Sequence, residues 1–137
     1  MKIYLAGPLF TEAERAFNLE LAHLLEKEGH EVYLPQHENP AASGPGRTAT
    51  IFRANLTGLK HADCVVAICD GPQVDDGTAW EIGYAWRRNI RVCGLRTDSR
   101  VVQQQDERIN LMILESLDGL SSSVSQLTHT IRHAKSR

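Results

Sequence analysis

Long apolar runs are missing from this 137-residue sequence, and none approaches the ~20 residues that a membrane-spanning helix requires. Charge of one sign is not in excess either. The formal net charge is −2, with no basic stripe, which argues against a nucleic-acid polymer as the main ligand and leaves a small polar ligand open. Cysteine is scarce and odd in number: Cys64, Cys69 and Cys93 lie in apolar, strand-like runs without a CxxC motif or a nearby His pair. They read as buried thiols in a reducing cytosol, so neither a disulfide frame nor a metal site is expected. There is no GxGxxG after the first apolar run and no GxxxxGK[ST], so neither a dinucleotide nor a triphosphate is implied and no cofactor is expected. No signal-peptide pattern precedes the run Lys2-Ile3-Tyr4-Leu5, and a cytoplasmic location is the expectation.

What is present is an alternation of strand and helix patterns over a length suited to one domain, residues 1–137. Ile3 to Ala6 is a short β-run ended by Gly7-Pro8. Thr11-Glu12-Ala13-Glu14 has the form of a capping box, and Phe17, Leu21, Leu24 and Leu25 supply the apolar face of the helix that follows, up to Gly29. Glu31 to Leu34 predicts a second strand closed by Pro35. Gln36 to Arg47, rich in Pro, Gly, Ser and Asn, predicts a long functional loop. Thr48 to His61 predicts a helix burying Ile51, Phe52, Leu56 and Leu59, Cys64 to Cys69 a fully buried strand, and Arg91 to Leu95 a fourth strand. Arg96 to Arg108 reads as a polar loop. Ile109 to Leu117 fits a strand or a helical turn, and a last helix should follow Ser121, Ser122 or Ser123. These βαβ units imply a three-layer α/β fold, flavodoxin-like or Rossmann-like, with about five parallel strands and helices on both faces.

The densest chemistry lies between the third strand and the next helix, in Asp75-Asp76-Gly77-Thr78-Ala79-Trp80-Glu81-Ile82-Gly83-Tyr84-Ala85. A strand, an acidic loop and a helix start make the βα crevice in which open α/β sheets bind ligands. Helical spacing sets Gly77, Thr78, Glu81 and Ala85 on one stripe, a carboxylate among small neighbours that leave room for a substrate. Gly83 is expected to let the helix approach the sheet. Asp75 and Asp76 also suit a plain helix N-terminus, and Trp80 and Trp86 are expected to pack between helix and neighbours.

Six segments in register are similar to the nucleoside 2-deoxyribosyltransferase family: Ile3 to Phe10, Leu34-Pro35-Gln36, Ala62 to Ala67, Gly77 to Ala85, Gly94 to Asp98, and Asn110-Leu111-Met112. The resemblance covers nearly the whole chain to about residue 117. It implies transfer of a 2-deoxyribosyl group between nucleobases, with Glu81 as the nucleophile, Asp75 an acid lining the sugar and base site, and Tyr4 beside the nucleophile. It further implies substrate contacts at Gln36, Phe10, Gly7, Asn55, Asp76, Gly77 and Met112. Asn110 matches an asparagine that reaches the 5′-hydroxyl in a neighbouring subunit's site, so a homo-oligomer with shared active sites is implied. The implied partners are 2′-deoxynucleosides and free nucleobases. Where many relatives carry an aspartate, this chain has Asn55, and its basic end through Arg137 lacks the aromatic residue of some relatives.

The residue types suit that chemistry on their own terms. A carboxylate can collapse onto the anomeric carbon of a cation-like sugar to form a covalent intermediate, and a second base re-entering the same face gives retention. Two rivals stand beside it: an N-glycosidase acting on 2′-deoxynucleoside 5′-monophosphates, and a non-catalytic nucleoside-binding module. The stretch Gly7-Pro8-Leu9-Phe10-Thr11 has no Arg or Ser to suit a phosphate, while Arg47, Arg53, Arg96 and Arg100 are cations that could still bind one.

Overall fold

A computed structural model of the chain describes residues 1–38, 43–99 and 109–133. Five parallel strands form one sheet in the order β2-β1-β3-β4-β5: β1 Lys2–Ala6, β2 Glu31–Tyr33, β3 Cys64–Ile68, β4 Arg91–Leu95 and β5 Gly119–Ser121. Three central strands without interior charge explain why the sheet is buried on both sides. Alternation along β1 divides the core. Ile3 and Leu5 face Leu21 and Leu25 of α1 (Glu12–Lys27) and Leu127 and Ile131 of α6 (Val124–His133). Tyr4 and Ala6 face the other way, toward Leu59 of α3 (Arg47–Lys60) and Ile82 and Ala85 of α4 (Asp76–Arg87).

The predicted capping box is present, with Thr11 accepting from the Glu14 amide and Glu14 accepting from that of Thr11. The predicted strands recur within a residue or two of their expected bounds. Several expectations are corrected. Pro35 opens a helical turn, α2 (Pro35–Glu38), where a loop was expected, because a fixed φ and a missing N–H suit a first helical position. Residues 39–42 of that stretch, with Arg100, residues 101–108 and the tail 134–137, lie outside the described residues. The ambiguous run near Ile109 becomes a short helix, α5 (Leu111–Leu114), and β5 falls just beyond it, so Ser121 is in a strand and Ser123 takes the Gln126 amide at the start of α6. Gly83 is exposed, and a side chain there would meet nothing, so it is not what brings α4 to the sheet.

Arg96 is not a loop cation available to a phosphate. It is buried, and its guanidinium donates to the carbonyls of Cys69 and Gly71, tying the end of β4 to the turn after β3. Asp70 completes this clasp by accepting from the amides of Thr97 and Asp98 at 2.6 and 2.7 Å. The segment leading into Asp75 is thus anchored before α4 begins. Among the described residues no helix is long and apolar enough to cross a membrane.

Candidate active site

Tyr4 and Glu81, 77 positions apart in sequence, meet beside the sheet: the Tyr4 hydroxyl donates to Glu81 Oε1 at 2.5 Å. Tyr4 is fully buried and Glu81 half-buried. Burial pushes the Glu81 carboxyl up to about 7, the Tyr4 hydrogen bond opposes that rise, and the negative charge of Asp75 adds to it. Burial and the adjacent glutamate hold the Tyr4 phenol far above its ordinary range, so it stays a donor at any physiological pH. The pair is a carboxylate poised near neutrality with its orientation fixed by a neutral partner.

Glu81 opens onto a cavity of about 330 Å³ between α3 and α4, within the size range of small-molecule sites. Gly77, Trp80 and Glu81 line it from α4 at i, i+3 and i+4, while Phe52, Asn55 and Leu56 line it from α3. The expected stripe is therefore half right. Thr78 and Ala85 turn under the helix into the core, and Gly77 and Glu81 share the cavity with Trp80. Trp80 is 50 % exposed and Phe52 51 %, contrary to the expectation that both are packed away. Trp86, at 48 %, is likewise more open than expected.

Asp75 is the N-cap of α4. Its Oδ2 accepts from the Thr78 amide at 3.0 Å and from the Thr78 hydroxyl at 3.3 Å, which fixes the carboxylate near the helix start and within electrostatic reach of Glu81. Asp76 is exposed and accepts from the Gly77 amide. Gly77 is small for a local reason, since a side chain would crowd Asp75 Oδ2 at 3.1 Å.

Sequence reasoning missed Tyr33. Its ring stacks on Tyr4, with centroids 5.2 Å apart and planes 11° apart, and its hydroxyl donates to Asn55 Oδ1 at 3.3 Å. Gly58 makes this possible: a Cβ there would lie 2.8 Å from the Tyr33 ring. The signal was available in the Glu31-Val32-Tyr33 alternation, which sends Tyr33 to the same face as Tyr4 once the two strands pair in register.

Other expected residues lie elsewhere. Gln36 does not line the cavity. Its amide donates to the Arg15 carbonyl at 2.9 Å and accepts from buried Asn18, so it joins α2 to α1. Phe10 is 71 % exposed in the β1–α1 turn, and Gly7 is required there because a Cβ would press on Ile68 at 3.0 Å. Asn110 caps α5 through the Met112 amide. Asn110 and Met112 are both exposed, and neither lines the cavity.

Competing chemistries find little support. Cys64 and Cys93 are buried on the opposite face of the sheet, their sulfurs 3.8 Å apart, and burial pushes the Cys69 thiol up to about 12. The hydrogen bond with Cys93 holds the Cys64 thiol below its ordinary range, but all three cysteines are buried and none is offered to a substrate. No group of three or more His, Cys, Asp or Glu among the described residues is arranged to hold a metal ion.

Comparison with known proteins gives the family and the fold. A family model described as nucleoside 2-deoxyribosyltransferase matches residues 3–112. An uncharacterised protein of Ureaplasma parvum is 33% identical over 92% of this chain and 86% of its own length. A solved 2-deoxyribosyltransferase from Bacillus psychrosaccharolyticus superimposes with a TM-score of 0.81 at 26% identity, covering 93% of this chain and 90% of that one. A CMP N-glycosidase from Clostridium botulinum, at 17% identity and a TM-score of 0.61 over 96% of this chain and 99% of its own, shares the fold.

Proposed function

The chain belongs to the nucleoside 2-deoxyribosyltransferase family, and from that premise we propose that it exchanges the nucleobase of 2′-deoxyribonucleosides through a deoxyribosyl group held on Glu81. The observation that carries this reading is the Tyr4–Glu81 pair at the cavity wall. Ionised Glu81 attacks carbon one as the C–N bond breaks, and the departing base takes a proton. A second base attacks the same anomeric carbon and gives up its ring N–H proton, the bond from carbon one to the Glu81 oxygen breaks so that Glu81 leaves as carboxylate, and two inversions give retention. Tyr4 holds Oε1, which sets the direction in which the carboxylate presents its other oxygen. The three buried free thiols suit a reducing cytoplasm.

The test is chromatographic: 2′-deoxyinosine is incubated with and without adenine. A new nucleoside with adenine supports transfer. Free hypoxanthine alone, at the same rate with or without adenine, supports hydrolysis instead, and dCMP and dGMP as substrates then identify the N-glycosidase reading. No turnover with saturable nucleoside binding supports a binding module.

Proton delivery to the leaving base is the step for which this chain is least equipped. An amide cannot act as an acid, and Asn55 stands in the cavity wall with its Oδ1 already accepting from Tyr33. Asn55→Asp supplies that acid, and exchange should rise by about tenfold or more, a fraction of the roughly hundredfold or greater effect ascribed to general acid catalysis. Initial rates at pH 6 to 8 check it, and an unchanged or lower rate shows that the proton comes from elsewhere, with Asp75, Asp76 or water as the source.

Exposed Asn110, near Met112 and Leu111, is assigned to a neighbouring subunit's cavity. Glu81→Ala and Asn110→Ala should each be inactive alone. In a random two-fold mixture about a quarter of the sites carry neither change, so about a quarter of wild-type activity should return. Mixtures that stay inactive argue for sites completed within one chain.

A further inference from the structure

Two aromatic side chains at the mouth of the Glu81 cavity have no role in the bond-breaking chemistry. Phe52 of α3 and Trp80 of α4 meet edge to face at 5.7 Å, and about half of each is exposed. Isolated exposed aromatics need no explanation, but these two touch each other and line one cavity from facing helices. One face of the Trp80 ring is covered by Tyr84, stacked at 5.6 Å and 15°, which braces the indole from below without burying it. An indole so held offers a flat, rigid, apolar surface one residue from the carboxylate, and a nucleobase is the flat, apolar part of a nucleoside.

Resting on the transferase reading, we infer that Phe52 and Trp80 form the platform on which the nucleobase stacks while Glu81 faces its sugar. Stacking recognises any planar base, so the platform sets affinity for bases as a class and leaves discrimination among them to polar groups such as Asn55. Trp80 also becomes a reporter. The chain has only two tryptophans, so Trp86→Phe leaves Trp80 as the sole indole.

Adenine, cytosine and 2-deoxyribose are titrated into the Trp86→Phe protein while its fluorescence is followed, and exchange kinetics are measured for Trp80→Ala, Trp80→Phe and Phe52→Ala. Both target side chains are exposed enough that truncation should leave the fold standing, and circular dichroism verifies this. The expected result is saturable quenching by both bases and none by the sugar. The acceptor KM should rise about tenfold in Trp80→Ala and Phe52→Ala with a smaller change in kcat, and Trp80→Phe should largely restore it. An unchanged KM in Trp80→Ala, with exchange proceeding, overturns the platform and leaves the transferase reading intact. So does a Trp80→Ala protein that elutes as a smaller species with unchanged KM, which would make the patch a subunit contact. Saturable quenching by bases in a protein with no exchange activity upholds the platform and removes the transferase.

Discussion

Glu81→Gln should lower base exchange by about a thousandfold or more and, above neutral pH, make the protein more stable. The first effect follows from removing the group that the proposed reaction bonds to carbon one, since knocking out a covalent nucleophile commonly costs several orders of magnitude. The second follows from proton linkage. Burial raises the Glu81 carboxyl from 4.5 in the open chain to about 7 in the fold, so between those values the native state holds a proton that the unfolded state has lost. Stability therefore falls as pH rises through that window, and the full penalty, up to about 3 kcal/mol, is present above pH 7. Glutamine keeps an acceptor for the Tyr4 hydroxyl and carries no charge. Thermal unfolding of the two proteins should differ little near pH 4 and by several degrees at pH 8, with the variant higher. A variant that is inactive but less stable at pH 8 would mean that Glu81 is held by favourable contacts and not strained by burial.

Tyr4→Phe should cut exchange at pH 7 by about ten- to a hundredfold and move the acid limb of the rate profile upward. In the wild type, kcat/KM should climb about tenfold per pH unit below pH 7 and level off above it, because attack requires ionised Glu81. The Tyr4 hydrogen bond favours that ionised form. Without it the carboxylate loses a donor in a partly desolvated place, its pKa moves above about 7, and more alkali is needed to reach the plateau. Profiles from pH 5 to 9 decide the matter. A lower plateau with an unmoved limb would mean that Tyr4 contacts the substrate and does not tune the glutamate.

The sequence was most readable where local chemistry and long-range packing asked for the same thing. The apolar run of β3 and the capping box of α1 each have one comfortable conformation, and both formed as expected. Glu81 and Asp75 stood out in the acidic loop and helix start and Tyr4 through the resemblance, and Tyr4 and Glu81 do meet in one bonded pair, with Asp75 at the N-cap of the helix that carries Glu81. The misses have a common cause, which is that exposure on α3 and α4 depends on how far apart the two helices stand. Phe52 and Trp80 read as core because aromatic residues at helical spacing usually are. Here the gap between helices is the cavity itself, so they line it. Arg96 reads as a free cation until the buried carbonyls of Cys69 and Gly71 are placed beside it. The role of Gly58 appears only when Tyr33 is brought against it from another strand.

Intact-mass spectrometry of the protein, quenched in acid during turnover of 2′-deoxyinosine, examines the covalent step without relying on product analysis. A species heavier by one deoxyribosyl group should form, should map by proteolysis to the peptide carrying Glu81, should disappear when adenine is added in excess, and should be missing from Glu81→Gln. Rapid exchange of bases with the adduct located on any other residue would contradict the assignment.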